Sequence, residues 1–290
     1  MPLATMFIIQ LMHSLVYGML LFLVAAGLTL VLGMMNVLNL AHAAFYMLGA
    51  YLAYAFLKAH VSYWYALGMA PVVIGLLGIL FERFLLRRAH RLGHFHELLL
   101  TFGAFYILIE VARWIWGTTP QPVAAPPLLA GSIHLWADQV YPVYRLFVLG
   151  SSVLILLAFA YLINRTRIGI LVRAAVADSE MVNVLGINVP RLILLVFGAG
   201  SAVAGFAGVI AAPFLCAYPS MGGDILLDCF VVIVIGGFGS IWGALLAALM
   251  IGLVQSFGVL WIPQFALVLE FALMAVVLII KPSGLFGEKE

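Results

Sequence analysis

Charge is scarce in this 290-residue chain: 13 Lys or Arg and 11 Asp or Glu make up 8% of it, against 66% hydrophobic residues. With a mean hydropathy of +1.23, that scarcity excludes a soluble globular domain. A net charge of +2 is too small to imply a nucleic-acid partner. Lysine occurs only as Lys58, Lys281 and Lys289, and none follows a glycine. A phosphate-cradling P-loop needs Gly-Lys-Ser/Thr, so no such ATP site is expected in this chain. HExxH and GxSxG are missing as well, and neither catalysis nor a bound cofactor or metal is expected. The two cysteines, Cys216 and Cys229, sit in apolar surroundings and read as buried free thiols.

What the chain has instead is apolar runs of about 20 residues, each long enough to cross a bilayer. The expected spans are about 7–33, 37–57, 63–86, 97–116, 143–163, 191–212, 225–238, 241–260 and 264–280. Period-2 alternation is weak, which argues against a barrel. The fold class is therefore all-α, a polytopic membrane protein of about 8–9 transmembrane helices. The seventh span is short and ends in glycine, so it could be re-entrant. The first lacks a basic n-region and is too long for a cleaved signal, so it is expected to stay. No soluble domain or tandem repeat is evident, and residues 1–290 read as one transmembrane domain.

Basic residues set the orientation. Arg83, Arg87, Arg88 and Arg91 share one loop; Arg165, Arg167, Arg173 and Arg191 share another; Lys281 and Lys289 lie in the tail. Nine spans put these segments on one side, which the positive-inside rule makes cytoplasmic, with the N-terminus outside. The longest outer connection, Gly117 to Pro142, is expected to lie on the surface, with Trp136 and Tyr141 as interfacial anchors.

Two spans carry interruptions. Asn36, Asn39 and His42 are spaced by three and would form a slanting polar stripe on a helix. Such a stripe either lines a solute path or gate, or bonds neighbouring helices. The run Gly236-Gly237-Phe238-Gly239-Ser240 lets a helix open or lets backbones approach closely. A small-residue face on span six, Gly198, Ser201, Ala202, Gly205 and Gly208, reads as packing. Among the acids, Glu110 has Arg113 at i+3 as an ion-pair partner. Asp224 reads as an N-cap. Asp228, and Glu270 with no local cation, are candidates for a solute path. A Ser240–His42 dyad is the one enzymatic arrangement conceivable, and turn and stripe roles explain both residues better.

Between two apolar stretches, Asn164 to Arg191 holds six charged residues. Its middle reads as a two-turn amphipathic helix with Ala177, Met181, Val184 and Leu185 on one face and Ser179, Glu180 and Asn183 opposite. Asp178 is the expected N-cap and Gly186 the C′ residue. Placed in the cytosol, this helix has a purpose only if another molecule docks on it.

Four stretches bring these features together: GLTLVLGMMNVLNLAHAAFYMLGAYLA from Gly27, ADSEMVNVLGINVPR from Ala177, VVIVIGGFGSIWGALLAAL from Val231, and IIKPSGLFG from Ile279. In this order they resemble the branched-chain amino-acid ABC transporter permeases of the LivH type. The resemblance implies a bacterial inner-membrane permease that pairs with a second, LivM-like permease. It also implies two ABC ATPase subunits that bind the ATP, an external solute-binding protein, and alternating access between the permeases. Glu180 and Gly186 match the glutamate and glycine of the family's ATPase-coupling loop, while Met181 and Val182 replace its usual alanines. Ala43 and Ala44 stand where Gly-Glu is common, and Asp228 where a basic residue is often seen. The implied solute is a branched-chain or related amino acid. A self-sufficient secondary transporter or channel using Asp228, Glu270 or His42 as ion or proton sites is the rival reading.

Overall fold

The computed structural model describes residues 3–35, 37–134 and 140–287. The helices are α1 (Leu3–Met35), α2 (Ala41–Lys58), α3 (Tyr63–Phe81), α4 (Arg87–His90), α5 (His94–Trp116), α6 (Val143–Arg165), α7 (Arg167–Ala177), α8 (Ser179–Val184), α9 (Val189–Leu215), α10 (Met221–Gly236), α11 (Ile241–Trp261) and α12 (Ala266–Ile280). A short hairpin pairs β1 (Ser132–His134) with β2 (Val140–Pro142). Among the described residues seven helical segments are long and apolar enough to cross a membrane. The chain is a multi-pass helical membrane protein. The other two expected spans are α2 and α10, whose 18 and 16 residues form short inner helices. Span two begins later than expected, at Ala41, because residues 37–40 are not helical.

Burial follows from how uniformly apolar each helix is. From Leu20 to Ala26, α1 is fully buried on every side. A helix apolar all round gains most at the centre of a bundle, and α1 is the hub. It packs against α11, α9, α6 and α10, whereas α6 and α12 lie at the rim and leave most of their surface uncovered. Helix directions can be read from the contacts. Gln10 on α1 bonds to the Ser256 carbonyl on α11, Gly18 lies against Ala248, and Gly33 lies against Gly239. These helices are therefore antiparallel. The face Gly198–Gly208 of α9 packs on α2 and α3: Gly208 sits under the Tyr46 carbonyl, and Ser201 fits beside Gly78.

One end of the bundle gathers the arginine-rich connections. There Arg87 binds both carboxylate oxygens of buried Glu82, at 3.2 and 3.1 Å, and reaches the Pro190 carbonyl at 2.9 Å. A π turn at Glu82–Leu86 between α3 and α4 sets this geometry. Close by, buried Glu97 faces His90 and His94. Both glutamates lie inside apolar runs, and sequence reasoning missed their pairing.

At the opposite end the Tyr63 and Tyr144 hydroxyls meet at 2.8 Å. Gln121 and Ala217 exchange backbone hydrogen bonds at 2.8 and 2.9 Å, tying the 117–142 connection to the end of α9. Tyr141 is not an interfacial anchor. It is 1% exposed and its ring stacks on His13 with centroids 5.6 Å apart, because β2 tucks against α1. Trp136 lies outside the described residues. Both cysteines are free: Cys229 is buried and Cys216 half-buried.

Candidate functional site

The first interruption is a true break. Beyond Met35 the chain turns back toward the middle of α1, and α2 starts there. The His42 Nε2 meets the Val24 carbonyl at 3.2 Å, a place a continuous helix cannot reach. The expected stripe is therefore not formed. Asn39 precedes α2 and is joined to His42 by a turn, the His42 amide donating to the Asn39 carbonyl at 3.2 Å. Asn36 lies outside the described residues. Non-helical backbone at this depth survives only inside protein, and Asn39 and His42 are each 1% exposed. Both polar atoms of the Asn39 side chain, His42 Nδ1 and Thr29 Oγ1 have no protein partner. Each such buried atom costs about 1–3 kcal/mol.

The second break is built differently. Helix α10 ends at Gly236, and the chain turns through Gly237 and Gly239, whose φ values of 95° and 76° suit only glycine. Ser240 then caps α11, its Oγ accepting from the Gly243 amide at 3.1 Å. The C-terminal segment docks here. The Leu285 and Phe286 amides donate to the Ile235 and Gly236 carbonyls at 2.7 and 3.0 Å. Lys281 Nζ donates to the Leu285 carbonyl at 2.6 Å and holds the segment's shape. The last carbonyls of α10 are thus satisfied by protein. Sequence reasoning quoted this Lys-Pro-Ser-Gly segment without assigning it a structural role. Ser240 and His42 have separate partners, which leaves the dyad without support.

The acids fall into distinct settings. Glu110 and Arg113 form the expected exposed pair at 2.5 Å. Asp224 is not an N-cap, since Ser220 holds that position; its carboxylate accepts from the Tyr218 hydroxyl at 2.9 Å. Burial and that bond push the Tyr218 phenol up to about 12, so it remains a donor at neutral pH. Asp228 accepts a hydrogen bond from Tyr17 of α1. Tyr17 was missed in the sequence because an aromatic residue in an apolar span carries no local signal. Glu270 on α12 is 1% exposed, has an unpartnered Oε1, and lies within Coulombic reach of Asp228. The structure thus brings Tyr17, Asp228 and Glu270 together. It places Asn39 and His42 at the first break; Asp228, mid-helix in α10 and away from the Gly236–Ser240 turn, lies within Coulombic reach of Tyr46, one turn beyond His42 on α2.

The polar island between α6 and α9 forms two helices. Thr166 caps α7, its Oγ1 accepting from the Gly169 amide at 3.2 Å. Asp178, in extended backbone, caps α8 by accepting from the Met181 amide at 2.9 Å. Gly186 closes α8 with φ 86°. Because Asp178 breaks the helix, Ala177 belongs to α7 and does not share a face with Met181, Val184 and Leu185. The buried residue of α8 is Val182, packed in a satellite core with Met34, Val172, Ala175 and Val189. Met181, Val184 and Leu185 are 55%, 81% and 71% exposed, and Ser179 and Glu180 are exposed beside them. In the same region Val176 of α7 touches Gly33, just before the first break.

Apolar helices around one buried break, with a glycine turn at the arginine-rich end and acidic side chains inside the bundle, make the architecture of a membrane transport protein. The chain belongs to the family described as the permease component of branched-chain amino acid transport systems, whose pattern matches residues 10–280. It is similar to the high-affinity branched-chain amino acid transport system permease protein BraD of Pseudomonas aeruginosa. They are 28% identical over 296 residues, covering 97% of this chain and 96% of BraD. The permease protein LivH of Escherichia coli is 27% identical over 299 residues, covering 98% and 96%. A probable LivH of Methanocaldococcus jannaschii is 25% identical over 292 residues, covering 94% and 90%. No solved structure matches the chain.

Proposed function

We propose that the chain is the membrane-spanning subunit of an ATP-driven importer of branched-chain or related amino acids in a bacterial inner membrane. In this reading the chain is one permease domain without catalytic chemistry of its own. It pairs with a second, LivM-like permease, and two ABC ATPases bind and hydrolyse the ATP. An external binding protein delivers the solute, and alternating access opens the permease interface to each side in turn. The arginine-rich end faces the cytosol and the N-terminus lies outside.

The observation that carries this reading is α8. It presents three uncovered apolar side chains beside a glycine turn, among the basic connections. Pulling on α8 acts through Val182 on the satellite core, and so on Met34 and the start of the first break. Asn36, Asn39, His42 and the Gly236, Gly237, Gly239 and Ser240 turn are our choice for the path or gate, with Asp228 and Glu270 beside it. Asp178, Ser179, Glu180, Met181, Leu185 and Gly186 form the docking element.

The test uses co-purification of the ATPases with the membrane-inserted chain. Glu180→Ala and Gly186→Pro, the latter incompatible with φ 86°, are expected to weaken ATPase capture while insertion stays normal. Unchanged capture and unchanged transport in both variants would overturn the coupling role.

A further inference from the structure

At the end opposite the arginine-rich connections, α1, α6, α9 and α11 line an open cleft of about 320 Å³, within the size range of small-ligand sites. Its polar lining includes His13 of α1, close enough to Arg145 to feel its charge, and two groups from other helices. Arg145, at the start of α6, faces it, and among the described residues no carboxylate pairs with that guanidinium. Gln255 of α11 also faces it, and its Oε1 is buried with no hydrogen-bond partner. Tyr17 lines the cleft too, its hydroxyl committed to Asp228. Val16, Phe214 and Val259 supply apolar wall. The α1–α11 side is closed by Gln10 and Ser256, whose side chains bond each other's backbone carbonyls.

We propose that this cleft is a solute site within the permease itself, shaped for a zwitterionic aliphatic amino acid. Arg145 holds the carboxylate, Gln255 Oε1 accepts from the ammonium, and Val16, Phe214 and Val259 pack the side chain. The guanidinium fork matches a carboxylate in plane. A buried acceptor without a donor is unfavourable until something donates to it, and an ammonium does so. A neutral sugar or an inorganic anion would use one half of the lining and leave the other unmet. The proposal rests on the transport reading above and narrows it: the permease selects its solute in addition to any external protein.

The test measures equilibrium binding of labelled L-leucine to the assembled transporter in nanodiscs, without the binding protein. Isovalerate, which lacks the ammonium, and isoamylamine, which lacks the carboxylate, serve as competitors. Arg145→Gln is expected to weaken leucine and isovalerate roughly tenfold or more and to leave isoamylamine unchanged. Gln255→Met is expected to weaken leucine and isoamylamine and spare isovalerate. Arg145→Lys, which keeps the charge, recovers part of the leucine affinity and shows that the loss is not misfolding. No leucine binding by the wild type, or equal loss of all three probes in both variants, overturns the site. ATP-driven uptake is measured on the same preparations. Uptake with no binding at this cleft removes the site and leaves the transporter reading intact, whereas absent uptake counts against that reading itself.

Discussion

Asp178 holds the first turn of α8 by one carboxylate-to-amide bond of 2.9 Å, and the helix has only six residues over which to spread its loss. Asp178→Ala is expected to cost α8 about 1 kcal/mol and to raise amide exchange over 179–184 about fivefold; Asp178→Asn, which still caps, is expected to leave exchange near wild type. Equal exchange in the alanine variant would mean that Val182 packing, not the cap, holds the helix. Both the cap and Gly186 were legible in the sequence, because capping chemistry is decided by neighbours three residues away. The Tyr17–Asp228 bond was not, since its partners lie 211 residues apart. Neither was the orphaned state of Asn39, which depends on where the chain goes after leaving the helix.

At the scale of elements, α2 and α9 touch through their backbones. A Cβ added at Gly49 would stand 2.2 Å from the Gly205 carbonyl oxygen, so Gly49→Leu must push the two helices apart. Its expected outcome is a steep fall in thermal stability and in monodisperse yield. Gly103→Ala on α5, where a Cβ meets nothing within 4 Å, is expected to leave both unchanged. A second prediction concerns the docked tail. Truncation after Ser283 removes the donors to Ile235 and Gly236, and should lower the melting temperature and expose a cysteine placed at fully buried Ile235 to faster thiol labelling. Unaltered labelling would show that the glycine turn holds its shape unaided. The small-residue face of α9 was readable as a packing surface, but its partners were not. Periodicity tells which face is narrow and says nothing about which helix fills it. The same limit misread the Asn36–His42 spacing as one helical stripe, since i, i+3 spacing carries no sign of a break in the absence of proline.

For the whole molecule, the apolar runs located the traverses, because twenty apolar residues in a chain this poor in charge have few alternatives to a bilayer. The distinction between rim and hub was hidden: α1 and α6 are both apolar, yet the central stretch of α1 is buried on every side and α6 lies at the rim. That difference arises only when all the helices are packed together. The arrangement links α8, through its satellite core, to the end of α1 and the first break, so disturbing the docking face should impair transport without unfolding the bundle. Val184→Asp, at a position 81% exposed, is expected to leave the melting temperature within error and to reduce coupled uptake severely. A folded variant with full uptake would place the docking surface elsewhere.

On the transport reading proposed above, this chain moves solute only when a separate motor drives it. The most direct measurement is leucine uptake into proteoliposomes holding the chain alone, or the chain with its partner permease, ATPases and loaded binding protein. Each is assayed with and without ATP. Uptake is expected only in the complete assembly and only with ATP. Uptake by the chain alone, driven by an ion gradient and indifferent to ATP, would contradict it.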